Sequence, residues 1–315
     1  MPESKGPWQK PDLPGAVLSA VGMIALVWWI IGIPQYGAFS GTAVIPLAVA
    51  VVALGSFVYW ENVTNEPMVP LVLFRNRNFS GGSLSLALVE IANGGLLLVF
   101  TQYLQFVVGY SPVKAGLAFV PLAVGALAGN ATGVNLGATT GPRFLVLGGM
   151  LVMAASFGLL TVVSADTGFA IPAIALGLLG LGAGVAMPAA IGALMSTIPP
   201  EKAGVGSALN DTIQQAGSAL GIAILGSLLA AGYTRHMPAG APAQARQSIA
   251  SALTPARGET GLVRVAREAY TASMSATFTV SAIAILAAAL LATLVIRNTK
   301  PKPAPAPADE QALVA

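Results

Sequence analysis

Apolar residues in this chain gather into eight long runs, parted by short stretches rich in charge, proline and glycine. The runs cover 13–33, 42–62, 80–106, 113–137, 143–163, 170–196, 204–232 and 268–296. Each is close to or above the roughly 18–20 residues that a bilayer's hydrocarbon core demands of a helix. Alternation over strands of ~10 residues, the mark of a transmembrane barrel, is absent. Lipid satisfies no backbone hydrogen bonds, so each run must satisfy its own as a helix. The pattern predicts an all-α polytopic membrane protein with eight transmembrane helices. The first run is not expected to be a secretory signal: it is longer than a typical one, no small-residue cleavage site follows it, and further spans do.

Composition agrees. Of the 315 residues 55% are hydrophobic and 9% charged, whereas a soluble domain carries about 25% charged residues. There is no cysteine and one histidine, His236. Disulfides, iron–sulfur clusters, thiolate metal sites and His-rich metal sites are thereby excluded. No lysine precedes Ser or Thr and no G-x-S-x-G occurs, so neither a P-loop nor a hydrolase elbow is present. His236 reads as a solvated loop residue. The chain is not expected to be an enzyme, and no cofactor is expected.

The small net charge of +3 forms no basic patch, which argues against a nucleic-acid partner. The basic residues instead flank the runs and report topology. An even number of spans puts both ends on one side. That side carries Lys5, Lys10, Arg75, Arg77, Arg143, Lys202, Arg297, Lys300 and Lys302; the short connections opposite carry Lys114. Both termini are therefore expected in the cytoplasm of a multi-pass protein of the cell membrane. The long outer loop, 233–267, holds Arg235, Arg246, Arg257, Arg264 and Arg267 against that count. Within it, 243–253 predicts a short surface helix, and Arg264 and Arg267 a helical extension into the last span. Residues 1–12 form a cytoplasmic segment, 63–79 an interfacial cytoplasmic loop, and 297–315 a disordered, proline-rich tail.

Ionisable residues inside spans are costly and therefore informative. Glu61 ends the second run, while Glu90 and Asp211 lie well inside the third and seventh. At 100° per residue, Ser83, Glu90, Asn93, Gly94, Leu97, Thr101 and Gln105 share one side of the third helix, all but Leu97 polar or small. Ser207, Asp211, Gln214, Gln215 and Ser218 form a similar stripe in the seventh. The two stripes are expected to meet each other or water. A carboxyl group there could load and release a proton, which makes Glu90 and Asp211 the proton-coupling candidates. Asn93, Gln102, Gln105, Asn130, Gln214 and Gln215 are the candidates for a substrate path. Pro46, Pro121, Pro172 and Pro188 lie inside runs, and Pro188 is the best candidate for a functional bend. Gly180 and Gly184, and Gly217 and Gly221, have the small-xxx-small spacing of close helix packing. Trp60 reads as an interface anchor.

Four stretches carry a family resemblance: FRNRNFS at 74–80, QYLQFVVGYSPVKAGLAFVPLAVG at 102–125, GVNLGATTGPRFLVLGG at 133–149, and PPEKAGVGSALNDTIQQAGSALGIAILGS at 199–227. Together they resemble the second half of a major facilitator superfamily transporter, and more narrowly the fourteen-helix drug:proton antiporters of the EmrB/QacA type. The third stretch is similar to a degenerate cytoplasmic loop motif in which Gly141 and Arg143 match and the acidic residue is missing. The resemblance assigns 13–62 to that family's extra helix pair and 80–296 to its C-terminal six-helix bundle, built from two inverted three-helix repeats. It implies proton-coupled efflux of drugs or other amphipathic small molecules, driven by the proton gradient. Gly141, Arg143, Pro188, Gly217 and Gly221 would then be conformational positions. The family's first six helices are missing, so an N-terminally truncated form is expected. The alternative is a non-catalytic half-transporter or membrane scaffold that needs a separate six-helix partner.

Overall fold

The computed structural model describes residues 12–64, 67–137, 139–199, 202–253 and 260–296. The expectations for segment 1–11 and tail 297–315 lie outside these residues. In chain order the helices are α1 (Leu13–Tyr36), α2 (Gly41–Val63), a 3-10 turn (Leu71–Arg75) and α3 (Arg77–Gln102), which a π-helical turn (Tyr103–Val107) prolongs. Then come α4 (Pro112–Leu117), α5 (Val120–Gly137), α6 (Pro142–Leu160), α7 (Ala170–Met195), α8 (Ala203–His236), α9 (Ala243–Gln247), α10 (Ile249–Leu253) and α11 (Thr260–Val295). The described residues contain no strand. Eight segments are long and apolar enough to cross a membrane, with α4 and α5 together making one.

Local signals place the ends. Asp12 caps α1 through the Gly15 amide, and Ser40 caps α2 through that of Ala43. Gly37 stops α1 in a left-handed conformation, φ 80°, which costs glycine little. The helical extension expected before the last span is present: α11 begins at Thr260 and carries Arg264, paired with Glu268 at 3.0 Å, and Arg267. One boundary moves. The seventh runs on to His236, which is its last helical residue and not a loop residue; its Nδ1 lies 2.8 Å from the Gly232 carbonyl. The expected surface helix at 243–253 is the short pair α9 and α10.

The bundle of α3 and α5–α8 with α11 has a two-fold pattern of pairing. α3 lies against α8 as α7 lies against α5, and α6 lies on α7 as α11 lies on α3. Such exchanged pairing is what two three-span units of opposite direction generate. Its seams are backbone on backbone. A Cβ at Gly125 would strike the Gly177 carbonyl, and one at Gly129 that of Leu181. Gly180 and Gly184 of α7 lie in turn against the carbonyls of Leu122 and Ala126. In the related α3/α8 seam, Gly221 meets the Ile91 carbonyl, and a Cβ at Gly217 would lie 2.8 Å from that of Ala87. Large side chains fill the space between the seams, with Phe100, Tyr103, Met150, Phe157, Tyr270 and Phe278 fully buried. Buried hydroxyls cross between helices: Tyr270 donates to the Val99 carbonyl (2.7 Å) and Ser156 to that of Ala175 (2.6 Å).

α1 and α2 pack on each other and reach the bundle through α1 against α8. One hydrogen bond there follows from a proline. Pro34 lies inside α1 and has no N–H, so the Ile30 carbonyl loses its helical donor. Ser227 of α8 supplies one, its Oγ donating to Ile30 O at 2.6 Å.

Candidate functional site

Glu90 sits midway along α3, with its Cβ over Gly217. Only a glycine there leaves room, since a Cβ on residue 217 would lie 3.0 Å from that of Glu90. The half-buried side chain opens into a cavity of about 750 Å³ between α3, α5 and α7. Asn93 of α3, Asn130 of α5, and Gly184, Met187 and Pro188 of α7 line the same space. No basic side chain pairs with Glu90 among the described residues. Pro188, lacking an N–H, removes the helical donor of the Gly184 carbonyl. The site therefore offers a carboxyl group and two amides on an otherwise apolar surface.

The other acid lies elsewhere. Asp211 and Gln215 of α8 line a groove of about 830 Å³ against α1, opposite Trp28. Asn210 Nδ2 donates to Asp211 Oδ1 at 3.2 Å. The stripes, expected to meet each other or water, do touch at Gly94, where a Cβ would lie 2.6 Å from Ser218 Oγ, but their two acids turn apart. α3 and α8 touch through Gly94, Gly95, Gly217 and Gly221, because only glycines permit that approach. Asp211 lies about 100° around its helix from Gly217 and Gly221. It is therefore turned toward α1 while Glu90 turns toward α5 and α7.

The remaining candidates spread out. Gln102 ends α3 and Gln105 lies in the π-helical turn beyond it; neither lines the Glu90 cavity, and half-buried Gln214 lines neither space. Gly141 is the N-cap of α6 in an extended conformation, φ −62° and ψ 159°. Arg143 follows in the first turn, its Nε buried and without an acceptor among the described residues. Gly217 and Gly221 sit in the α3/α8 seam. Sequence reasoning missed Trp28 as a groove residue.

The profile of the Major Facilitator Superfamily matches residues 13–222. The tetracenomycin C resistance and export protein of Streptomyces glaucescens is 35% identical over 219 residues, covering 70% of this chain and 41% of that protein. The multidrug efflux pump LfrA of Mycolicibacterium smegmatis is 29% identical over 310 residues, 95% of this chain and 61% of LfrA. The chain thus spans less than two thirds of either relative. A crystal structure of a bacterial homolog of the human lysosomal transporter Spinster, inward-facing and occupied, shares the fold. Its TM-score is 0.56 at 22% identity, over 90% of this chain and 64% of that one. With its eight apolar membrane helices and a family match over more than half its length, this chain belongs to the Major Facilitator Superfamily.

Proposed function

We propose that the chain serves proton-coupled efflux of amphipathic small molecules, in the manner of the fourteen-helix drug:proton antiporters. On this reading α1 and α2 are the extra helix pair, and α3–α11 are the C-terminal six-helix bundle with both chain ends in the cytoplasm. Transport requires a second six-helix bundle, because facilitators move substrate by rocking two bundles about a site between them. The supporting observation is the cavity that gathers Glu90, Asn93 and Asn130 against the broken helical ladder at Gly184 and Pro188. There, Glu90 is the proton carrier, and the amides orient substrate. The resistance and efflux functions of the two relatives favour drug-like cargo.

Ethidium movement in everted membrane vesicles from cells expressing the chain together with an N-terminal six-helix bundle, driven by an imposed proton gradient, tests this. Glu90→Gln is expected to lower gradient-driven transport at least ~10-fold, while Gln105→Ala leaves it nearly unchanged. Unaltered gradient-driven transport in Glu90→Gln would falsify the coupling role.

A further inference from the structure

Two carboxyl groups outside the transport cavity meet where α1 begins and α2 ends. Asp12 Oδ1 accepts from the Gly15 amide at 3.0 Å and from Trp60 Nε1 at 2.9 Å. Glu61 is only 3% exposed, and its Oε2 accepts from the Val69 amide at 2.9 Å. Two oxygens remain, Asp12 Oδ2 and Glu61 Oε1. Both are fully buried and neither has a donor among the described protein groups. They occupy one place: a Cβ on Gly15 would strike Asp12 Oδ2 and lie 2.9 Å from Glu61 Oε1. Carboxylates only accept, so two of them cannot bond without a donor. Two like charges also cannot share a buried site.

We propose that Asp12 and Glu61 are a proton-binding site, with one proton held between Asp12 Oδ2 and Glu61 Oε1 as the donor that both lack. The site works as a clasp. Through Asp12 it holds the start of α1 and Trp60, and through Glu61 it holds Val69 in the segment leading to α3. Loss of the proton leaves two carboxylates face to face, and Glu61 leaves with its hold on Val69. Residues 67–70 carry no titratable side chain. On α8, which packs on α1, Asp211 is the acid that faces it, along the groove opposite Ser19 to Ile31. The site is independent of Glu90 and of whether the chain transports.

The chain has no cysteine, so Met68→Cys gives a single label position beside Val69. Bimane attached there in lipid nanodiscs would be quenched by Trp60 when the clasp is closed. Quenching is expected at acidic pH and is expected to be lost as the pH is raised. In Asp12→Asn and in Glu61→Gln the amide is a permanent donor, so quenching should persist across the whole titration. The proposal is overturned by quenching that ignores pH in the parent, by an unshifted profile in both amide variants, or by sodium restoring quenching at high pH. That last result would assign the place to a metal cation.

Discussion

The most apolar 18-residue stretches of α1 and α11 are almost equal in mean hydropathy, 2.3 and 2.4, yet 11% of the first and 33% of the second is buried. α1 buries Gly15, Gly22 and Ala25, and α2 buries three alanines and Glu61, while their large side chains, Trp28, Ile31, Ile45 and Val51 among them, face outward. The bundle does the reverse, turning Phe100, Tyr103, Phe157 and Tyr270 inward. Hydropathy measures how well a helix suits lipid; it does not measure what the helix packs against. Between lipid and protein there is little hydrophobic gain, so association rests on close fit and on hydrogen bonds. The helix pair has a shallow fit and the Ser227–Ile30 bond, whereas the bundle has two glycine seams and a filled core.

That contrast can be broken at three depths. Gly221→Leu forces a side chain into the Ile91 backbone. Backbone cannot yield as a rotamer can, so the expected loss is more than ~3 kcal/mol. Fluorescence-detected size-exclusion chromatography should show the monodisperse peak lost. Tyr270→Phe removes a buried donor from the Val99 carbonyl and should lower stability by about 1–2 kcal/mol; thermal unfolding in detergent reads this as a lower midpoint with the fold retained. Ser227→Ala leaves Ile30 O without the donor that replaces the missing Pro34 N–H. Its expected effect on global stability is smallest, about 0.5–1 kcal/mol, and it should concentrate in α1. Hydrogen exchange around residues 28–34 should rise while α3 and α7 stay protected. An equal rise in the bundle would erase the distinction between the two regions.

The eight spans were legible in the sequence because lipid imposes length and apolarity directly: the run at 80–106 became Arg77–Val107, and the run at 170–196 became Ala170–Met195. The small-xxx-small spacings of Gly180 with Gly184 and Gly217 with Gly221 also read true, since close helix approach leaves a local mark. Facing was harder. A helical wheel put Glu90 and Asp211 each on a polar stripe, but which neighbour each stripe meets depends on where glycines let helices touch. The grouping of Glu90 with Asn93 and Asn130 was readable as a set of polar residues, not as one cavity. Asp12 and Glu61 were invisible as a pair, because a turn between two antiparallel helices closes a separation that no local pattern records.

The glycine seams leave an uneven permission to vary. At Gly125 and Gly129 of α5 the facing atoms are carbonyls, and the smallest side chain would overlap them. The protein's alphabet at those two positions has a single letter. Between them lies Leu127, 73% exposed, where open space accepts nearly any apolar letter. One helix thus carries some of the strictest and the most permissive spelling in the molecule only two residues apart, so its tolerance to substitution alternates around its circumference and not along its length.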